Sequence, residues 1–219
     1  MADTVQDMDN LTRRRGLLRR LGGAMTLGFA AFAPNSSRAQ AARAGRSDGP
    51  NWPGALKGRH KQVVDAYEIN EGLPLAFAYT FLAPNESATA VVVLRHGALP
   101  IALGDAMWAK YKIGEALKIM DPETKAPAVK NPFFHPKSGV LAVDDMAVDR
   151  LLAKGVIFGG CNVALQVQSK MLAGNAGVSA EDAAKEWAAN IIPGITIIPS
   201  GTWGVNRAQE AGCSYCAGG

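Results

Sequence analysis

The stretch "TAVVVLRHG", residues 89–97, decides the fold. Its apolar run, 90–94, is too dense for a strand with one face in water, so it predicts a central strand of a parallel sheet. Further strands are predicted at 62–69, 156–160 and 194–199, and helices at 73–83, 103–117, 143–155, 162–174, 179–190 and 201–212. This alternation predicts an α/β layered fold with a mostly parallel sheet and right-handed crossovers.

Two irregular segments flank or interrupt this pattern. Residues 42–60 are rich in Gly, Pro and charge, which predicts an extended N-terminal arm before a single domain at 61–219. Residues 121–139, "DPETKAPAVKNPFFHPKSG", form a proline-rich loop, and a long insertion of this kind is often functional or an assembly arm. His135 in this loop is expected to bury with its phenylalanine neighbours against another subunit.

The N-terminus has the pattern of an export signal. Residues 14–19, "RRGLLR", resemble the twin-arginine motif, and a short apolar run and a small-x-small site at 39–41 follow. We expect 1–41 to be a signal peptide cleaved after Ala41, so that the mature chain is periplasmic or otherwise exported without stable membrane insertion. The alternative is a basic helix that stays on the mature protein.

The basic character of the chain lies mainly in this leader. Residues 1–41 hold six of the 23 basic and three of the 19 acidic residues, so 17 basic and 16 acidic residues remain. The mature chain is nearly neutral and has no basic stripe with interleaved aromatic residues. Nucleic-acid binding is therefore not expected.

Ligands of open parallel sheets bind outside the carboxyl ends of the strands. Three such ends carry candidate residues: His96-Gly97, Gly159-Gly160-Cys161 and Pro199-Ser200-Gly201. Cys161 comes directly before a helix that starts near Asn162, where backbone N–H groups and the helix dipole favour a thiolate. We therefore predict Cys161 as the reactive residue, with a small buried hydrophobic residue as the alternative. The predicted ligand-binding residues around it are Gly160, Asn162, Ser200 and Gly201.

Histidine 96 is the second candidate for a chemical role. It ends the central strand, where it could transfer protons or bind a metal or haem, and the alternative is a histidine whose nitrogens bond to backbone groups. The chain has no phosphate-binding loop, no dinucleotide fingerprint and no Gly-x-Ser-x-Gly elbow. Common nucleotide and hydrolase functions are thereby disfavoured.

The other two cysteines form a C-x-x-C, Cys213 and Cys216, close to the end of the chain. They follow the helix at 201–212 and so lie at its negative end, which disfavours a thiolate. In a regular strand, positions i and i+3 point to opposite faces, so a disulfide between them would need a turn. They remain candidates for metal or redox chemistry, for a structural clasp, or for a resolving partner of Cys161.

Three stretches carry a family resemblance that covers about 60–216: "VVVLRHG", "GVIFGGCNVAL" and "IIPGITIIPSGTWGVNRAQEAGCSY". Together they resemble the DsrE/DsrF-like superfamily of sulfur metabolism. The resemblance implies a flavodoxin-like fold of about five strands with helices on both faces, assembled as a trimer or hexamer. It also implies that Cys161 is the family's sulfur-carrying cysteine. The export signal, the 121–139 insertion and the C-x-x-C depart from the cytoplasmic carriers.

The leading hypothesis is an exported sulfur-handling protein that carries or transfers sulfane sulfur on Cys161, assisted by His96. Its partners would be small sulfur species or a sulfur-carrier protein, and it requires no cofactor. The first alternative is a module that binds metal or haem through His96, Cys161 or the C-x-x-C. The second alternative is a structural oligomer without catalytic function.

Overall fold

The computed structural model describes residues 52–54 and 56–219. The predicted signal peptide, 1–41, and most of the predicted arm, 42–60, lie outside these residues. Five strands form one sheet in the order β4-β3-β2-β1-β5, and every neighbouring pair is parallel. The strands are β1 His60–Ala66, β2 Ala88–Leu94, β3 Ile157–Cys161, β4 Ile195–Ile198 and β5 Ser214–Ala217. The predicted α/β flavodoxin-like fold is confirmed.

Seven α-helices connect or cover these strands in the described part of the chain. They are α1 Leu73–Leu82, α2 Asp105–Lys110, α3 Ile113–Leu117, α4 Val148–Ala153, α5 Asn162–Leu172, α6 Ala180–Ala189 and α7 Gly201–Glu210. Short 3₁₀ turns lie at Asn70–Gly72, His96–Ala102, Asp144–Met146 and Ala173–Ala176. None of these helices is long and apolar enough to cross a membrane.

The two faces of the sheet are buried by different elements. Because side chains alternate along a strand, Val64 and Val92 point into one cluster and Val63 and Val91 into the other. Buried residues of α1 to α6 share the larger cluster. On the opposite face α7 packs across the sheet, and Trp52 from the predicted arm is buried beside it. Helices thus cover both faces, as the sequence predicts.

Several elements differ in extent from the sequence prediction. The helix predicted at 103–117 is two helices, because Lys112 adopts a left-handed backbone conformation (φ 50°) between α2 and α3. The helix predicted at 143–155 is a 3₁₀ turn followed by the shorter α4. Strand β1 runs from His60 to Ala66 and ends three residues before its predicted end. This last difference exposes residues that matter for the site.

The loop at 121–139 is irregular, as predicted, and is held against the domain. Asn131 is buried, and its side-chain amide donates to the carbonyl oxygens of Ile101 and Leu103 at 2.9 and 2.8 Å. Phe133 is buried in the main core. His135 is exposed, with Nδ1 2.9 Å from a carboxylate oxygen of Asp149. Buried polar and apolar anchors therefore fix the middle of this loop.

Candidate functional site

A cavity of about 620 Å³ lies outside the carboxyl ends of β1 to β4. Six of its lining residues belong to the strand ends: Tyr67, Glu68, Arg95, His96, Cys161 and Ser200. The rest of its wall is formed mainly by apolar side chains of α3 and α5. Its volume falls in the range of small-molecule sites, and its place is the one at which open α/β sheets bind ligands. We take it as the candidate site.

Cys161 sits where β3 passes directly into α5. It is the last residue of the strand and the N-cap of the helix, and only 5% of it is exposed. Its Sγ accepts a hydrogen bond from the backbone N–H of Ala164 at 3.3 Å. Ala164 is the third residue of the helix, which is the residue that an N-cap side chain reaches. The thiol group is thus held at the positive end of α5.

His96 is held by contacts on three sides. Its Nδ1 lies 2.8 Å from Oε1 of Glu68, and its ring stacks on that of Tyr67 with centroids 4.2 Å apart. The side chain of Gln168, on α5, donates to its backbone carbonyl. His96 also has a left-handed backbone conformation (φ 42°). This conformation costs a residue other than glycine about 1–3 kcal/mol, and residues strained in this way cluster at functional sites.

The contact between His96 and Glu68 depends on the neighbouring glycine. A β-carbon placed on Gly97 would lie 1.9 Å from Oε2 of Glu68. Only a residue without a side chain lets this carboxylate approach the turn. Because Nδ1 faces Glu68, the remaining ring nitrogen, Nε2, is the one that has no hydrogen-bond partner among the described residues.

Arg95 is fixed by a buried carboxylate. Its Nε and Nη2 donate to the two oxygens of Asp65 at 2.6 and 2.9 Å, and Asp65 is 6% exposed. The hydroxyl of Tyr215, on β5, donates to the same carboxylate at 3.1 Å. The guanidinium also lies 4.7 Å from the ring centre of Tyr67. The hydrogen bond with Asp65 raises the pKa of Arg95 above its ordinary value, so the group stays charged.

The start of α7 closes the polar end of the cavity. Ser200 is the N-cap, and its Oγ accepts from the backbone N–H of Trp203 at 3.2 Å. Gly201 lies under Arg95, and a β-carbon there would be 2.5 Å from the Cβ of Arg95. Both predicted residues therefore line the cavity, and the glycine is needed for the close approach of the arginine.

The structure brings four of the predicted site residues to the cavity, namely His96, Cys161, Ser200 and Gly201. Gly160 and Asn162 do not line it. Gly160 is buried in β3, where a β-carbon would lie 3.0 Å from the side chain of Ile197. Asn162 is exposed on the first turn of α5. Gly160 lets β3 pack closely against Ile197, and Asn162 begins α5.

Cys213 and Cys216 lie away from the cavity and on opposite faces of the sheet. Cys213 belongs to the cluster beneath α7, whereas Cys216, on β5, packs against the larger core. All three cysteines are free. Burial raises the pKa of both Cys213 and Cys216 above the ordinary thiol value, which favours the protonated form. The dipole argument from the sequence and this burial both disfavour nucleophilic roles.

Direct pairing of either tail cysteine with Cys161 is ruled out by the sheet order. Strand β5 is three strands away from β3, which corresponds to about 14 Å across the sheet. Cys216 pairs in register with Val64, below the level of Cys161, and Cys213 lies further down. A disulfide needs α-carbons within about 7 Å. In this fold the tail therefore does not serve as a resolving partner for Cys161 within the same chain.

The metal alternative requires several donor side chains close together. Within 52–54 and 56–219, no group of three or more His, Cys, Asp or Glu side chains is arranged to hold a metal ion. Cys213 and Cys216 point to different faces, so they do not form a ligand pair in this arrangement. The hypothesis of a metal module consequently has no preformed donor cluster behind it in the described residues.

Sequence reasoning missed Asp65, Tyr67 and Glu68. A strand at 62–69 places Tyr67 and Glu68 inside β1, so neither residue lies at a predicted strand end. The signal for Asp65 was a single acid in the apolar run "VVDA". A carboxylate buried in a parallel strand needs a cationic partner, and Arg95 at the end of the adjacent strand was the nearest candidate.

Comparison with known proteins adds no family assignment. A scan against models of protein families and a search of curated proteins both found no match to the chain.

Proposed function

We propose that this chain takes up and carries sulfane sulfur on Cys161, as an exported protein of the DsrE/DsrF-like kind. One observation carries the proposal: the Cys161 thiol accepts a backbone hydrogen bond at the start of α5 and opens into a cavity shared with His96 and Arg95. A thiolate is the nucleophilic form of cysteine, and a helix N-terminus stabilises it. The parallel sheet and the position of the cysteine agree with the resemblance in the sequence.

The proposed step is a transfer of one sulfur atom from a persulfide or polysulfide donor. The Cys161 thiolate attacks the outer sulfur of the donor, and a new S–S bond forms. The S–S bond within the donor breaks, and the leaving sulfur keeps its electron pair. The reaction consumes no external oxidant or reductant, because one S–S bond replaces another.

His96 would move the proton that this transfer requires. It accepts the proton of the Cys161 thiol and later returns it to the leaving sulfur through Nε2, while Glu68 holds Nδ1. A histidine suits this role because its ordinary pKa lies near neutral pH. Arg95 and the N-terminus of α7 stabilise negative charge at the same end of the cavity.

The test compares the amount of persulfide that forms on the mature wild-type protein and on two cysteine variants after treatment with a sulfur donor. Wild type, Cys161→Ser and the double variant Cys213→Ser/Cys216→Ser are treated with inorganic tetrasulfide, and trapped persulfide is measured by mass spectrometry. We expect the double variant to load like wild type and Cys161→Ser to lose loading. Undiminished loading of Cys161→Ser would refute the proposal, and the double variant controls for loss of thiols elsewhere.

A further inference from the structure

The outer part of the cavity is formed by an unusual surface of α5. Val163, Val167 and Met171 follow each other at intervals of four residues and are 54, 51 and 75% exposed. Residues four apart lie on one face of a helix, so these side chains form a continuous stripe about 12 Å long. We call it the α5 stripe. It begins two residues after Cys161, which caps the same helix.

The cavity wall opposite the catalytic end is apolar as well. Ala116 and Leu117, from α3, line the cavity together with the α5 stripe, and Leu117 is 36% exposed. Single exposed apolar residues are ordinary on protein surfaces, but a contiguous patch that lines a cavity marks a binding site. An inorganic sulfur chain would leave most of this surface in contact with water.

Charge is confined to one end of the same cavity. Its described lining residues include two groups that can carry positive charge, Arg95 and His96, and one carboxylate, Glu68, and all three lie at the strand ends. The N-termini of α5 and α7 add their partial positive charges there. The α5 stripe offers no cation that could pair with carboxylates. The site thus suits a molecule with a small anionic head and an apolar body.

From this arrangement we infer that the sulfur donor is an organic persulfide with an apolar alkyl or aryl body, R–S–SH, ionised to R–S–S⁻. The inference rests on the proposed sulfur uptake by Cys161. The anionic head lies at the polar end beside Cys161, and the body R covers the α5 stripe. Burial of apolar surface then supplies binding energy that an inorganic polysulfide cannot gain.

The transfer from this donor exchanges one S–S bond for another, as in the proposed sulfur uptake. His96 relays the proton of the Cys161 thiol to the ionised donor, which gives Cys161–S⁻ and R–S–SH. Cys161–S⁻ attacks the outer sulfur of R–S–SH, the S–S bond of the donor breaks, and R–S⁻ leaves. The proton of the new persulfide then passes through His96 to R–S⁻, so that Cys161–S–S⁻ stays on the protein and the neutral thiol R–SH departs.

Three donors separate this inference from its rivals. The initial rate of persulfide formation on Cys161 is measured with octyl hydropersulfide released in situ, with inorganic tetrasulfide and with the hydropersulfide of glutathione, which carries two carboxylates. We expect the second-order rate constant of persulfide formation to be at least about tenfold higher for the octyl donor than for the other two donors. Equal or faster transfer from tetrasulfide or the glutathione donor would overturn the inference.

A matched pair of variants tests the role of the stripe. Val167→Ser/Met171→Ser changes it, and Val129→Ser/Met120→Ser makes the same substitutions at exposed residues that do not line this cavity. The first variant should lower the second-order rate constant for the octyl donor about tenfold and change the rate constant for tetrasulfide by less than about twofold. The second should leave both rates unchanged.

Three outcomes of the same experiment separate the failure of this inference from the failure of the proposed function. If the stripe variant keeps the octyl preference but dissociates an oligomer in light scattering, the stripe is a contact between copies of the chain and the inference fails. If no donor places sulfur on Cys161 of wild type, the proposed function fails first. Transfer from every donor at similar rates would retain the proposed function and refute only the apolar donor.

Discussion

Replacing Asp65 by Asn tests whether the buried carboxylate fixes Arg95 at the cavity. Asparagine keeps the shape of the side chain but removes the negative charge and one of the two acceptors. The structure gives two short hydrogen bonds to Arg95, of 2.6 and 2.9 Å, and a third from Tyr215 at 3.1 Å. The substitution therefore disturbs three contacts at once.

The expected cost follows from the burial of the two partners. Breaking a fully buried ion pair costs about 3–5 kcal/mol, whereas an exposed pair contributes about 0–1 kcal/mol. The side chain of Asp65 is 8% exposed and that of Arg95 is 25% exposed, so water can partly compensate the arginine. We expect a loss of about 3 kcal/mol, near the lower end of the buried range. For a domain of this size, that lowers Tm by about 6–12 °C.

Urea unfolding of the mature chain measures this loss, with two comparison variants. Glu181→Gln removes an exposed i,i+4 pair with Lys185 and should cost about 0.3–0.5 kcal/mol. Tyr215→Phe removes only the third contact and should cost about 1 kcal/mol. If Asp65→Asn costs no more than Glu181→Gln, the pair behaves as a surface pair and does not fix Arg95.

Three further predictions test the remaining parts of the site and fold. Gly97→Ala should slow sulfur loading of Cys161 about tenfold with little change in stability, because the new methyl group displaces the flexible Glu68 carboxylate from His96. An unchanged loading rate in stopped-flow assays would show that Glu68 has no role in the mechanism. Iodoacetamide at pH 7 should alkylate Cys161 before Cys213 and Cys216, whose raised pKa values keep them protonated until the pH passes the ordinary thiol range; peptide mass spectrometry reports the order, and first labelling of a tail cysteine would contradict it. Gly114→Ala should destabilise the fold by about 2–3 kcal/mol, because its β-carbon would lie 2.3 Å from the carbonyl oxygen of Ala128. In the control variant Gly174→Ala the new methyl group enters open space, so the free energy of unfolding should change by less than about 0.5 kcal/mol. Equal unfolding midpoints for the two variants would show that the 121–139 loop is not held at Gly114.

Local signals made much of the fold predictable from the sequence. Ser179 and Ser200 are N-caps because their hydroxyls accept backbone N–H groups three residues later, and this needs only neighbouring residues. The dense apolar run 90–94 likewise gave the central strand. Cys161 could be placed at a strand-to-helix junction for the same reason, since the glycine pair and the following helix are adjacent in the chain.

Contacts between distant residues could not be predicted in the same way. Glu68 meets His96 across 28 residues, and Asp65 meets Arg95 across 30, and both pairings depend on the register of β1 against β2. The prediction of β1 as running to 69 hid this end of the strand, because apolar and polar residues at 67–69 continue the alternation. The left-handed turn at His96 had only a weak signal, because histidine is enriched among residues with positive φ but few residues other than glycine adopt this conformation.

The measurement that tests the central claim most directly is peptide mapping of the mature protein after one turnover with a persulfide donor. We expect a single added sulfur atom on the peptide that contains Cys161 and none on the peptide that contains Cys213 and Cys216. An added sulfur on the tail peptide alone, or on neither, would contradict the assignment of Cys161 as the sulfur carrier.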